Sequence, residues 1–69
     1  MTDHIYKKIE LTGSSTAGMQ EAIENAISKA SQTISDMRWF EVVETRGHIE
    51  KDKIAHWQVT IKIGFALAE

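Results

Sequence analysis

Trp39 and Gln58 are the residues of this chain whose types best suit recognition of a small molecule. An indole directed away from a core stacks on a flat heteroaromatic ring, and a primary amide both donates and accepts hydrogen bonds along that ring's edge. This is binding chemistry, not bond-making chemistry. His4, His48 and His56 lack a zinc-type spacing such as His-x3-His, and no nucleophile set, paired-carboxylate motif or phosphate loop accompanies them. The histidines read as solvated strand residues and the chain as a non-enzyme with no metal ligands. A tryptophan at a sheet edge also serves as a subunit anchor, so a purely structural shell stands beside ligand binding as a second reading.

Size and composition narrow the class. Sixty-nine residues make one domain spanning 1–69, because a chain of this length buries only about 60 % of its unfolded surface and does not divide further. There is no cysteine, and with neither disulfide nor metal to staple a small core, self-association is the expected source of stability. A net charge of -2 argues against nucleic acid or acidic membranes as partners, since phosphate neutralisation needs a basic surface. No apolar run approaches the roughly 20 residues that cross a bilayer, and the polar start Met1-Thr2-Asp3-His4 lacks a signal-peptide core. A cytoplasmic protein is expected.

The elements that must position Trp39 and Gln58 follow from periodicity. Alternation of Ile5, Lys7, Ile9 and Leu11 with Tyr6, Lys8, Glu10 and Thr12 predicts a first strand over 5–12, broken at Gly13, with Ser15 as the helix N-cap. Met19, Ala22, Ile23, Ala26, Ile27, Ala30, Ile34 and Met37 all fall within an arc of about 140° at helical spacing. That is one amphipathic helix, thinned by alanines so that a sheet approaches it closely. Two further strands, about Trp39 to Ile49 and Ile54 to Leu67, flank a polar hairpin turn at Glu50-Lys51-Asp52-Lys53. In the last strand Trp57, Val59, Ile61, Ile63, Phe65 and Leu67 share one parity, which must face the helix.

A turn centred on Lys51-Asp52 pairs Phe40 with Ile63, Glu41 with Lys62, Val42 with Ile61, Trp39 with Gly64 and Thr45 with Gln58. Trp39 and Gln58 then share the face remote from the helix, together with Val43 and Thr45. Plain alternation puts Arg46 on the opposite face with Trp57, and only a bulge or twist near Gly47 would bring it round. Trp39 and the partner of Gln58 lie roughly 20 Å apart along the strand, so a site using both side chains combines them from different subunits.

Gly13-Ser14-Ser15, a helix running out at Thr33-Ile34, Trp39-Phe40-Glu41-Val42, Arg46-Gly47-His48, and Gln58-Val59-Thr60 followed by Gly64-Phe65 together resemble the dodecin family, particularly its bacterial members, over nearly the whole chain. The resemblance implies an α+β fold: a βαββ subunit whose three-stranded antiparallel sheet wraps one helix, assembled as a homododecameric hollow sphere of cubic symmetry. It implies flavin binding without turnover. Two isoalloxazine rings would stack between symmetry-related tryptophans, storing or sequestering the flavin and quenching its photochemistry. By the same resemblance Trp39 occupies the stacking position and Gln58 the ring hydrogen-bonding position. Arg46 matches a position associated with phosphate-bearing ligands, favouring FMN over riboflavin or FAD, with an ion pair to Glu44 or Glu50 as its alternative role. Glu44 would meet a ribityl hydroxyl. The chain departs from many bacterial relatives at Ala66, where they carry arginine, and at Gln32 and Ser35, which are basic in some. Those changes weigh against the other reading that the resemblance leaves, a coenzyme A-binding module, although Lys7 and Lys29 could assist one.

Overall fold

The computed structural model of the chain describes residues 3–68. Its elements run β1 (Tyr6–Ser15), α1 (Met19–Ala30), β2 (Met37–Glu50) and β3 (Lys53–Ala66). The strands form one antiparallel sheet in the order β1-β3-β2, so the βαββ arrangement expected from periodicity is the one observed.

Several boundaries differ from the sequence expectation, each for a local reason. β1 does not stop at Gly13 but passes through it to Ser15. A Cβ at residue 13 would run into the Ala22 carbonyl and come within 2.9 Å of Ala26 Cβ, so this glycine is where the helix backbone rests on the strand. Ser15 is not the N-cap; Gly18 is. The Ser15 hydroxyl instead accepts a 2.9 Å hydrogen bond from the Ala17 amide, which turns the chain from strand to helix in the way short hydroxyl side chains do.

At its other end α1 closes at Ala30, short of the apolar stripe that continues to Ile34 and Met37. The Ser31 hydroxyl donates to the Ser28 carbonyl at 2.7 Å, and the serine- and threonine-rich segment that follows has weak helix propensity. The Ile34 amide still reaches the Ala30 carbonyl at 2.9 Å, and Ile34 and Met37 both pack against the core without being helical. Asp36, at φ 62, then swings the chain into β2.

The core is a thin layer in which Ala22, Ala26 and Ala30 of α1 lie on Val59, Ile61 and Ile63 of β3, all buried. The small alanine side chains let helix and sheet approach closely, as their spacing predicts. Ile9, Leu11, Ile23 and Ile27 close its edges, and the Asn25 amide donates to the Ser14 carbonyl at 3.0 Å across the seam between α1 and β1.

The helix lies over β1 and β3 and leaves β2 outside. From Arg38 to Glu50 every β2 residue is exposed, including Phe40 and Val42, which are paired with the buried Ile63 and Ile61. β2 and β3 extend together as a long arm capped by Lys51 and Asp52, whose φ values of 51 and 62 make the left-handed turn that suits a two-residue hairpin loop. The Cα radius of gyration is 14.4 Å, against about 11 Å for a compact chain of this length. A long exposed edge strand with apolar side chains on it requires a covering partner.

Candidate functional site

The decisive feature of the sheet is a pair of opposed irregularities in the β2–β3 hairpin. Near the turn Ile49 faces Ile54, but His48 faces His56, so β3 carries one extra residue there. Further along, Glu44 faces Thr60 while Val42 faces Ile61, so β2 carries the extra residue, Val43. Between the two bulges the register is shifted by one position from the register the turn alone predicts.

That shift changes the face on which several predicted residues sit. Gln58 pairs with Arg46 and not with Thr45, and Thr45 pairs with the buried Val59. Arg46 therefore leaves the face of Trp57, where uninterrupted alternation puts it, and joins Gln58. Both bulges are responsible: the extra β3 residue at the His48–Ile49 step, next to Gly47 where a bulge was expected, sets the pairing of Arg46 with Gln58, and the extra β2 residue Val43 puts Arg46 on the face of Trp39, because a one-residue insertion reverses the facing of every residue beyond it. The same slip carries Glu44 onto this face, beside Thr60. Val43, expected to share the face of Trp39, is instead the unpaired bulge residue.

Trp39, Glu41, Glu44 and Arg46 of β2 thus stand on one side of the sheet with Gly64, Lys62, Thr60 and Gln58 of β3, opposite the helix. Their contacts confirm this arrangement. Arg46 Nε donates to Gln58 Oε1 at 2.8 Å, in place of the ion pair to Glu44 or Glu50 that the sequence leaves open. The hydroxyls of Thr12 and Thr60 lie 2.8 Å apart, and Lys8 Nζ donates to Glu41 Oε1 at 2.7 Å. This hydrogen bond, followed by the charge of Lys8, holds the Glu41 carboxyl below its ordinary value.

Trp39 lies over Gly64. A Cβ built on residue 64 would fall on the indole atoms Cε2 and Cζ2, so the missing side chain is the seat of the ring. Tyr6 meets the indole edge-on, with ring centroids 5.1 Å apart and planes at 67°, and the indole stays 39 % exposed. Sequence reasoning did not assign this supporting role to Gly64 or Tyr6. A glycine inside an otherwise regular strand, directly opposite the key tryptophan, was the available signal.

Trp39 and Gln58 stay apart within the subunit. Gln58 and Gly64, the seat of Trp39, are separated by six positions on β3, or about 20 Å at about 3.3 Å per residue. An open cavity of about 250 Å³ lies where β2 lacks helical cover, lined by Ile27, Met37, Phe40 and Ile63 with Arg38 and Trp39. It is mainly apolar and shares only Trp39 with the row on the sheet, leaving out Gln58, Arg46 and Glu44. Among the described residues no group of three or more His, Cys, Asp or Glu side chains is placed to hold a metal ion, and no helix is long and apolar enough to cross a membrane.

A helix over one face of a small antiparallel sheet, with an indole and a row of hydrogen-bonding side chains on the other, defines a class of small ligand-binding subunit. The comparisons specify it. The family model described as Dodecin matches residues 5–68. A dodecin of Thermus thermophilus is 42 % identical over 65 residues, covering 94 % of each chain. Among solved structures, dodecin from Streptomyces coelicolor superposes with a TM-score of 0.94 at 46 % identity, covering 100 % of this chain and 99 % of that one. The dodecin from Streptomyces davaonensis gives 0.94 at 48 % identity, covering 99 % and 100 %. The chain belongs to the dodecin family. Dodecins are non-enzymatic small-molecule-binding proteins built by oligomeric assembly of small subunits, and this chain is such a subunit.

Proposed function

We propose that the protein stores and sequesters a flavin, FMN before riboflavin or FAD, by stacking it on Trp39 at subunit interfaces of a hollow homododecamer. The observation that carries this reading is the common face of Trp39, Glu44, Arg46 and Gln58, which the bulge at Val43 creates. The residues fit the group. The Gly64 cradle holds the indole as a flat plate, the amide of Gln58 suits the carbonyl and ring-nitrogen edge of an isoalloxazine, and the Arg46 guanidinium keeps its terminal nitrogens for a phosphate. In this reading Glu44 receives a hydroxyl of the ribityl chain.

The separation along β3 makes assembly a precondition: the tryptophan of one subunit and the amide of another enclose the same guest. Assembly is also what the bare β2 arm calls for. The accessible surface of 5178 Å² exceeds the roughly 4,400 Å² expected of a self-contained protein of this mass. An indole held against the ring provides an electron-rich neighbour to which excitation is lost by electron transfer, and this is the proposed route of photochemical quenching. The chain acts as one domain, from the cytoplasm.

The test is to denature the purified protein and identify the released small molecule by mass. FMN near one equivalent per chain supports the reading. A protein that is colourless, releases no flavin and does not quench added FMN would be a structural shell or a binder of something else.

A further inference from the structure

His48 and His56 lie outside the constellation just described, on the side of it nearest the hairpin tip. They are direct cross-strand partners, and their imidazole rings face one another with centroids 4.9 Å apart and planes within 12°. The pair exists only because of the bulge on β3, since the register set by the turn would place Ala55 opposite His48. It is therefore invisible to any local spacing rule, eight positions apart in the chain yet adjacent in space.

We propose that His48 and His56 form a two-imidazole site for a borderline divalent transition-metal ion such as Zn²⁺ or Ni²⁺. Neutral imidazole is a preferred ligand of these ions and not of Mg²⁺ or Ca²⁺, which take oxygen. Side chains directly opposite on neighbouring strands have Cβ atoms about 5 Å apart, and two nitrogens bound at about 2.1 Å to one ion stand about 3 Å from each other. Rings stacked at 4.9 Å reach that separation by turning about χ2, a soft torsion for histidine, and tilting toward a common point. Both side chains reach solvent, His48 exposed and His56 half-buried. With no third protein donor grouped among the described residues, water completes the coordination shell. The site is thus open and exchangeable, unlike the closed four-ligand sites that hold a fold together. It is independent of flavin binding and is tested without flavin.

The test is calorimetric titration of the assembled, ligand-free protein with Zn²⁺ and separately with Ni²⁺, alongside NMR of the histidine ring protons. Saturation at one ion per chain is expected, with the His48 and His56 signals shifted, and Mg²⁺ producing neither effect. His48→Ala and His56→Ala should each weaken binding roughly a hundredfold, because either change removes the gain from joining two ligands on one scaffold. His4→Ala, at the opposite end of the sheet, should leave it unchanged. His48→Gln serves as a second variant, and circular dichroism with gel filtration establishes that each variant remains folded and assembled. Unsaturable uptake, or binding that survives both the His48 and His56 replacements, would overturn the assignment.

Discussion

Arg46 Nε donates a 2.8 Å hydrogen bond to Gln58 Oε1, which fixes the orientation of the amide. With its oxygen engaged, Gln58 has its NH₂ donors left to offer a ligand. Arg46 thus has two roles in the proposed site, orienting the amide with Nε and meeting a phosphate with its remaining nitrogens. Arg46→Ala should weaken FMN by about tenfold and riboflavin, which lacks the phosphate, by a smaller factor. Arg46→Lys should not restore the FMN affinity, because an ammonium cannot form both contacts in a fixed plane. Fluorescence titration with the two flavins measures both effects.

Gly64→Ala places a methyl group where the indole now sits. The ring must lift from the sheet, so the variant should lose flavin affinity by about tenfold while retaining the assembly. Tryptophan emission, which reports the environment of the ring, should shift in the ligand-free protein, although Trp57 contributes a constant background.

Gly13→Ala acts on folding. Its Cβ would meet the Ala22 carbonyl, a backbone atom that cannot turn aside, and would stand 2.9 Å from Ala26 Cβ. Overpacking of this kind destabilises by about 1–3 kcal/mol, and each kcal/mol corresponds to about 4–8 °C in a domain of this size. Thermal unfolding at fixed protein concentration should show the loss, and Gly18→Ala, where an added Cβ meets nothing and only the glycine N-cap of α1 is lost, should cost less.

Acid should weaken two exposed pairs. The hydrogen bond from Lys8 lowers Glu41 from its ordinary 4.5, and the hydrogen bond from Arg38 lowers Asp36 from 3.8. A carboxylate whose folded value is depressed adds stability that is fully present above its unfolded value and is lost as pH falls through the folded one. The melting temperature should therefore hold from neutral pH to about pH 5 and decline below about pH 4.5. Lys8→Met should lower the melting temperature slightly at neutral pH and flatten the Glu41 part of the acid decline. Both pairs are solvent-exposed, so raised salt should shrink the effect.

Much of the fold was legible because each element carries its own periodicity. The alternation of Val59, Ile61 and Ile63 marked the face that the helix covers, and the alanines at 22, 26 and 30 marked how closely it approaches. The pairings Trp39 with Gly64, Glu41 with Lys62 and Val42 with Ile61 also follow from the turn. What alternation could not reveal was a bulge, because an inserted residue such as Val43 looks like any other strand residue until its partner is known. Two compensating bulges preserve the register at Trp39 while displacing it at Arg46, so the end pairings were right and the middle ones were wrong. Gly13 misled for a related reason: a glycine in a strand can end it or admit a neighbouring backbone, and only the packed helix decides which. The resemblance to dodecins brought Arg46 and Glu44 to notice although the inferred register put Arg46 on the wrong face.

The central claim is that Trp39 binds a planar guest and does not merely seal a subunit contact, and titration of FMN fluorescence with Trp39→Ala beside the unchanged protein tests it most directly, gel filtration reporting the oligomer in the same samples. The proposal predicts that the variant assembles like the parent, while its FMN affinity falls by at least about thirtyfold and the quenching disappears. FMN bound and quenched equally well by an intact Trp39→Ala oligomer would contradict it.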